Sequence, residues 1–242
     1  MRLALISDIH GNLEALQAVL RDIESQQVER IHCLGDVIGY GCDPVACLHL
    51  VAEHCDVKLM GNHEYAAIGV LPSEAMNVHA RQSIQWTVTR LTDREISLIA
   101  EFDLTAEQDD RLLVHASPYE PDEWRYILTP SEAAEAFEHT DNRLVFHGHT
   151  HLPVINCLTS VGRIRTVAAH DFDPDEGSRY LINVGSVGQP RDNDPRACYV
   201  IYDSKEDTVS FRRIEYDISA AQAKMCRAEM PQMLIDRLQA GR

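Results

Sequence analysis

Five short polar stretches of this 242-residue sequence carry side chains of the kinds that hold metals and move protons. They are Ser7-Asp8-Ile9-His10-Gly11-Asn12, Gly35-Asp36, Gly61-Asn62-His63-Glu64, His115-Ala116-Ser117-Pro118 and His147-Gly148-His149-Thr150-His151. Together they present Asp8, His10, Asp36, Asn62, His63, His115, His149 and His151. Mixed carboxylate, imidazole and amide donors suit borderline divalent metals such as manganese, iron or zinc better than calcium, which takes oxygen alone. Eight donors are too many for one ion but enough for two that share a carboxylate. In extended backbone His149 and His151, two residues apart, would lie on one side of the chain. Gly148 between them lets the backbone run close to whatever the rings hold.

Each stretch follows a short apolar run, and those runs must do the positioning. Residues 3–6, 31–34, 57–60, 111–114 and 144–146 read as buried strands. After the first comes a helical pattern, with Leu13, Leu16, Val19, Leu20 and Ile23 on one face and Asn12 at the N-cap. After the second, Asp43-Pro44 starts a helix that runs to about residue 54. Three strand–loop–helix units in the first third predict an α/β domain with parallel strands. In such sheets ligands bind beyond the carboxyl ends of the strands, where these polar stretches fall.

Farther along, residues 73–102 are helical in pattern, and Thr92-Asp93-Arg94-Glu95 has the form of a capping box opening a second helix there. Residues 119–129 read as loop and 130–139 as helix. Residues 154–158 and 163–167 suggest a hairpin, followed by an acidic loop over 170–178. Residues 180–184, 197–203 and 208–214 read as strands. A last helical stretch, 218–238, is interrupted near Pro231. With no repeat, low-complexity segment or linker, the expectation is one domain over 1–242.

Composition narrows the partners. The 38 acidic and 22 basic residues give a net charge of −16, which argues against a broad nucleic-acid or anionic-membrane surface. A small anionic substrate remains compatible, because bound metal overrides the global field locally. Seven cysteines at irregular spacing, with no C-x-x-C, predict reduced thiols in a cytoplasmic protein. Cys42, Cys47 and Cys55 lie near His49 and His54, in a spacing that fits none of the standard zinc patterns. No apolar run approaches transmembrane length. His32, His49, His54, His79, His139 and His170 have no motif context and are expected to be structural.

The set Asp8-x-His10, Gly35-Asp36, Gly61-Asn62-His63-Glu64, His115 and Gly148-His149-Thr150-His151 resembles the motif set of the calcineurin-like metallophosphoesterases, in that family's order. The run from Asn183 to Arg191 resembles the bacterial phosphodiesterase branch and extends the likeness over most of the chain. The resemblance implies a four-layer α/β/β/α sandwich of two mixed β-sheets with a dimetal site between them. It assigns Asp8, His10, Asp36 and His151 to one metal. Asp36, Asn62, His115 and His149 go to the other, and His63 becomes the general acid. Two divalent ions, manganese first and iron or zinc next, would lower the pKa of a bridging water and hold phosphoryl oxygens for in-line attack. A protonated His63 would then donate to the leaving oxygen.

The chain departs from the phosphoprotein-phosphatase branch in ways that bear on substrate. That branch has an Asp three residues after the bridging Asp, then an Arg; here Gly39 and Tyr40 stand there. It also has an Arg before Gly-Asn-His-Glu, where this chain has Met60. Missing arginines weaken the grip on a monoester dianion, so the expected activity is hydrolysis of a small, nucleotide-like phosphodiester. The alternative is pyrophosphohydrolysis of dinucleoside polyphosphates such as diadenosine tetraphosphate. A non-catalytic scaffold of the same fold, as in the retromer subunit, is disfavoured because every ligand position and His63 are intact. Asn12 and Arg191 are candidate substrate contacts, with Asn12 also a simple N-cap and Arg125 a further cation to place. His147 is a candidate neighbour of the metal ligands, and Glu64 is expected to cap or pair locally.

Overall fold

The computed structural model describes residues 1–242, the side chain of Ala75 excepted. One sheet has five strands in the order β11-β10-β1-β2-β3, where β1 is Arg2–Ile6, β2 Arg30–Cys33, β3 Val57–Lys58, β10 Ala197–Asp203 and β11 Thr208–Ile214. A second sheet has six in the order β4-β5-β6-β9-β7-β8, where β4 is Thr105–Gln108, β5 Arg111–Val114, β6 Leu144–His147, β7 Val154–Leu158, β8 Ile164–Ala168 and β9 Arg179–Asn183. Both are mixed. β1 runs parallel to β2 and β2 to β3, while β10 joins β1 antiparallel. In the other sheet β5, β6 and β9 are parallel and the outer strands antiparallel.

The period of two in the apolar runs decides the layering. Leu3 and Leu5 of β1 face the second sheet and share a core with Leu113, Leu144, Phe146 and Ile182. Ala4 and Ile6, between and after them, face outward onto helix α1 (Leu13–Ser25) and helix α2 (Pro44–His54), through Leu16, Val19 and Leu48. On the far side Leu112, Val114 and Val145 pack against Ala133, Ala136 and Phe137 of a helix over Pro130–Glu138. Helix, sheet, sheet and helix make the four layers the resemblance implied. Burying each Leu or Phe fully contributes roughly 1.5–3 kcal/mol, so register in these strands is strongly fixed.

Helix α3 (Asn62–Ala67) follows β3, and Val78–Val88 and Asp93–Ile99 form α4 and α5. The Pro130–Glu138 helix is α6, and Ile218–Arg227 and Gln232–Ala240 are α7 and α8. Thr92 and Glu95 form the expected capping box of α5. Asp43 stands at the N-cap of α2 but makes no cap bond; its carboxylate instead accepts from Lys224 Nζ of α7 at 2.9 Å.

The observed elements differ from the sequence expectation in three places. The third strand is only two residues long, because Met60 N–H turns to the Asp103 carbonyl at 2.8 Å. Strand β4 was expected neither as strand nor as core, since Thr-Ala-Glu-Gln is polar; it is an edge strand with its side chains alternately exposed. His149 and His151 are not extended either. Both have positive φ, 66° and 61°, so the chain coils beyond β6. No helix is long and apolar enough to cross a membrane.

Candidate metal centre

Strand ends of both sheets converge on one place. Asp8 and His10 follow β1, Asp36 follows β2, and Asn62 and His63 open α3 just beyond β3. From the second sheet His115 follows β5, and His149 and His151 follow β6. Three buried groups have ligand atoms within 4.8 Å of one another: Asp8, His10 and His151; His10, Asp36 and His63; Asp36, His115 and His149. Asp36 Oδ2 lies 3.7 Å from His10 Nε2 and 3.4 Å from His115 Nε2, so one carboxylate oxygen faces both halves of the cluster. Asp8 Oδ1 lies 3.3 Å from His151 Nε2 and 3.8 Å from His10 Nε2.

The hydrogen bonds behind the rings settle which nitrogens face inward. His10 Nδ1 donates to the Ile38 carbonyl at 3.0 Å, His115 Nδ1 to Leu34 at 2.8 Å and His151 Nδ1 to Gln189 at 2.6 Å. A carbonyl only accepts, so each Nδ1 carries a proton and each Nε2 turns to the site, with a free lone pair wherever the ring is neutral. His10 Nε2 and His151 Nε2 then stand 3.0 Å apart. Burial depresses the pKa of both rings, which leaves two lone pairs facing each other. They repel unless a cation lies against them.

Four further donors point the same way. Asp8 Oδ1, Asn62 Oδ1, His115 Nε2 and His149 Nε2 are buried with no hydrogen-bond partner. Orphaned buried polar atoms are costly and rare, and these four share one location. The residues fit a pair of divalent ions. Asp8, His10, Asp36 and His151 would hold one; Asp36, Asn62, His115 and His149 the other. Burial opposes ionisation of Asp36, yet the His115 and His63 rings beside it hold its pKa well below the usual range. Burial likewise opposes protonation of His115, but Asp36 outweighs it and lifts the ring to about 9. A positive charge between these two groups is favoured, as a proton or as a metal ion.

Backbone strain marks the same residues. Asp8, His10, Asp36, His149 and His151 all have φ between 50° and 66°, a region few non-glycine residues adopt. Surrounding bonds hold them there. Glu64, expected only to cap locally, does more: its carboxylate accepts from the backbone N–H of Gly61, Asp36, Val37 and Ile38 at 2.8–3.1 Å. Burial, with Asp36 near, pushes its pKa up to about 7. On the other sheet Asn183 Nδ2 donates to the Gly148 carbonyl at 2.6 Å and Thr150 Oγ1 at 3.0 Å. Ser186 Oγ donates to the Asp8 carbonyl at 2.8 Å. The 183–191 run thus braces the loops after β1 and β6 at once.

His63 differs from its neighbours. Its backbone N–H donates to Asp36 Oδ1 at 2.9 Å, and its ring Nδ1 has no partner. That nitrogen packs against Gly39, where an added Cβ would overlap it. The Asp of the phosphoprotein-phosphatase branch therefore has no room with the ring in this pose. Tyr40 takes over the support: its ring centroid lies 4.7 Å from that of His63 and 4.6 Å from that of His10. Burial lowers His63 to about 4, against the opposing pull of the Asp36 carboxylate.

The remaining candidates separate. Arg191 lines the cleft over the site, with its guanidinium 5.8 Å from the Tyr40 ring. Asn12 stands aside as the cap of α1, accepting from Ala15 N–H at 3.2 Å and donating to the Gly188 carbonyl at 2.8 Å. Arg125 pairs with Glu120 on the surface. His147 is buried within 3.4 Å of Asn183 Nδ2 and belongs to none of the three groups. Among the described residues the cysteines form no disulfide and no metal-type group with His49 or His54. Tyr40, Asn183 and Ser186 went unassigned from sequence; the turn signals around Gly39 and Gly185 were the only clue, and they do not say what the loops touch.

Two packed sheets with imidazoles and carboxylates gathered at their strand ends define a phosphoesterase with candidate metal-binding groups. The model of the calcineurin-like phosphoesterase superfamily domain matches residues 1–207, and the chain belongs to that superfamily. It is 36% identical to an uncharacterized protein of Methanocaldococcus jannaschii, over 99% of this chain and 98% of the relative. A metallophosphoesterase from Sphaerobacter thermophilus has a similar structure, with a TM-score of 0.88, 38% identity and full coverage of both chains. A shorter match, 32% identity over 36% of this chain and 41% of the relative, is to serine/threonine-protein phosphatase 1 of Salmonella typhimurium.

Proposed function

We propose that the protein hydrolyses phosphodiester bonds of a small substrate with two divalent ions bound at the centre. The carrying observation is Asp36 Oδ2, which faces His10 and His115 at once within a set of orphaned ligand atoms. When bound, two divalent ions supply an acidified water and neutralise phosphoryl charge. The chain's own groups supply the rest. Water adds to phosphorus, the bond to the leaving oxygen breaks, and a monoester and an alcohol result. His63 lines the cleft, where as imidazolium it would give its proton to the leaving oxygen and return to the neutral ring.

Arg191 is the only cationic side chain among those lining the cleft. Gly39 and Met60 supply none, so a single guanidinium is on hand for the phosphoryl oxygens. A monoester dianion needs more compensation than a diester monoanion, which supports the diester reading. Manganese is the first ion to test, with iron and zinc next, since the carboxylate and amide oxygens suit manganese and the imidazoles suit iron and zinc.

The test compares matched mono- and diesters of one alcohol with manganese-loaded protein. A higher specificity constant for the diester is expected, abolished by EDTA and restored by manganese. Monoester preference would refute the reading, and activity surviving exhaustive chelation would place the chemistry elsewhere.

A further inference from the structure

The cleft above the centre has a volume of about 500 Å³, within the range that houses a drug-sized ligand. Two segments wall it. Leu71, Met76 and Ala80 line one side; Trp124 and Tyr126, from the loop before α6, line the other. Trp124 is fixed by edge contacts to Tyr65 at 5.2 Å and His115 at 5.9 Å. Tyr126 stacks one face on His149, at 4.2 Å and 26°, and remains 48% exposed.

Charge and apolar exposure are distributed unevenly around this opening. Asp122 and Glu123 line it against the single cation Arg191, so a chain of phosphates would meet carboxylates beyond the metal site. Among the described residues eight large hydrophobic side chains are exposed, and four of them, Val70, Val78, Tyr126 and Leu128, lie on these two segments or directly flank their lining residues. Of these only Tyr126 itself lines the cleft, and an exposed aromatic face at the mouth of a site marks what the site receives.

We propose that the substrate is a singly charged phosphodiester whose retained ester group is planar and aromatic, seated between the 71–80 segment and Tyr126, and not a polyphosphate. This rests on the phosphodiesterase reading above. The ring would stack on the open face of Tyr126, while its phosphoryl group reaches Arg191 and the ions that Asp36 and His149 would hold.

The experiment holds the leaving group constant. Methyl, n-octyl and 1-naphthyl p-nitrophenyl phosphates release the same p-nitrophenol, so differences report on the retained group alone. With manganese-loaded protein the naphthyl diester should exceed the methyl diester in specificity constant by roughly tenfold or more, and a dinucleoside tetraphosphate should be poorer than either. Tyr126→Ser should bring the naphthyl-to-methyl ratio toward one, and Tyr126→Phe should keep it. A hydrolysis-resistant naphthyl phosphonate should bind wild type more tightly than the methyl phosphonate, by calorimetry. Equal constants for methyl and naphthyl, a higher one for octyl, or preference for the tetraphosphate would overturn the aromatic assignment. Failure on all three diesters, with both metals present, would instead overturn the phosphodiesterase reading beneath it.

Discussion

Tyr40 and His63 are in ring contact, 4.7 Å between centroids and 60° between planes, where a carboxylate would otherwise hold the imidazole. Packing rather than a hydrogen bond fixes this ring. Tyr40→Phe keeps the contact and should retain near-normal turnover. Tyr40→Leu should slow diesters with poor leaving groups by something like 10²-fold, through misplacement of His63, and activated nitrophenyl diesters much less. In a His63→Ala background the same change should add little, since the two residues act as a unit. Because Tyr40 also touches His10, metal content is measured alongside; full additivity with intact metal content would separate Tyr40 from His63.

Asp36→Asn should reduce bound manganese from two ions per chain toward one or none after reconstitution with excess metal, read by elemental analysis. The shared oxygen lies within 3.7 Å of both imidazole sets, and its charge is what makes proximity of two cations tolerable. Two full equivalents in the variant would mean that Asp36 does not bridge.

Glu64 should matter to stability more than its place in a six-residue helix suggests. Four buried N–H groups end on its carboxylate, and Glu64→Ala leaves them without an acceptor. Loss on the order of 3–5 kcal/mol is expected, as when a buried charged partner is removed, measured from the denaturant midpoint at constant slope. Glu64→Gln keeps one acceptor oxygen and should lose less. A loss under about 1 kcal/mol for Ala would show that water replaces the carboxylate.

Much of the site was legible in the sequence because metal chemistry restricts residue type. Asp8, His10, Asp36, His115, His149 and His151 each follow an apolar strand, and an imidazole or carboxylate there serves little purpose in packing alone. The supports were less legible. Glu64, Asn183 and Ser186 act by binding backbone far away in sequence, and any residue with an acceptor or donor in that place would read the same. The turn at Gly39 and the departure at Tyr40 draw notice without saying what Tyr40 does, since a ring packed on a ring looks like core. The fold followed the same division: apolar strands such as β1 and β6 announce themselves, while the polar edge strand β4 exists because β5 offers it a partner.

His32 gives a pH dependence away from the metal centre. It is buried in β2 with neither ring nitrogen partnered, and burial lowers it from 6.5 to about 4. Between those values the unfolded chain takes up a proton that the folded one refuses. Stability from this group is therefore complete above pH 6.5 and is lost as pH falls through 4. His32→Leu should flatten the acid limb of the stability profile over that window, followed by thermal midpoints at constant ionic strength. An unchanged limb would show that the ring is hydrated or paired in solution.

The donors of the centre come from opposite sheets, four of them following β1, β2 and β3 and three following β5 and β6. With ions in place, the Asp36–His115 region becomes a clasp across the sandwich at one end of its inner core. The sheets cannot part at that end until the clasp opens. Bound metal would therefore govern the lifetime of the folded state as well as its equilibrium, because contacts broken early in unfolding set its rate. A loaded molecule would outlast an apo molecule at elevated temperature by more than their midpoints suggest, and cellular turnover of the protein would follow metal supply.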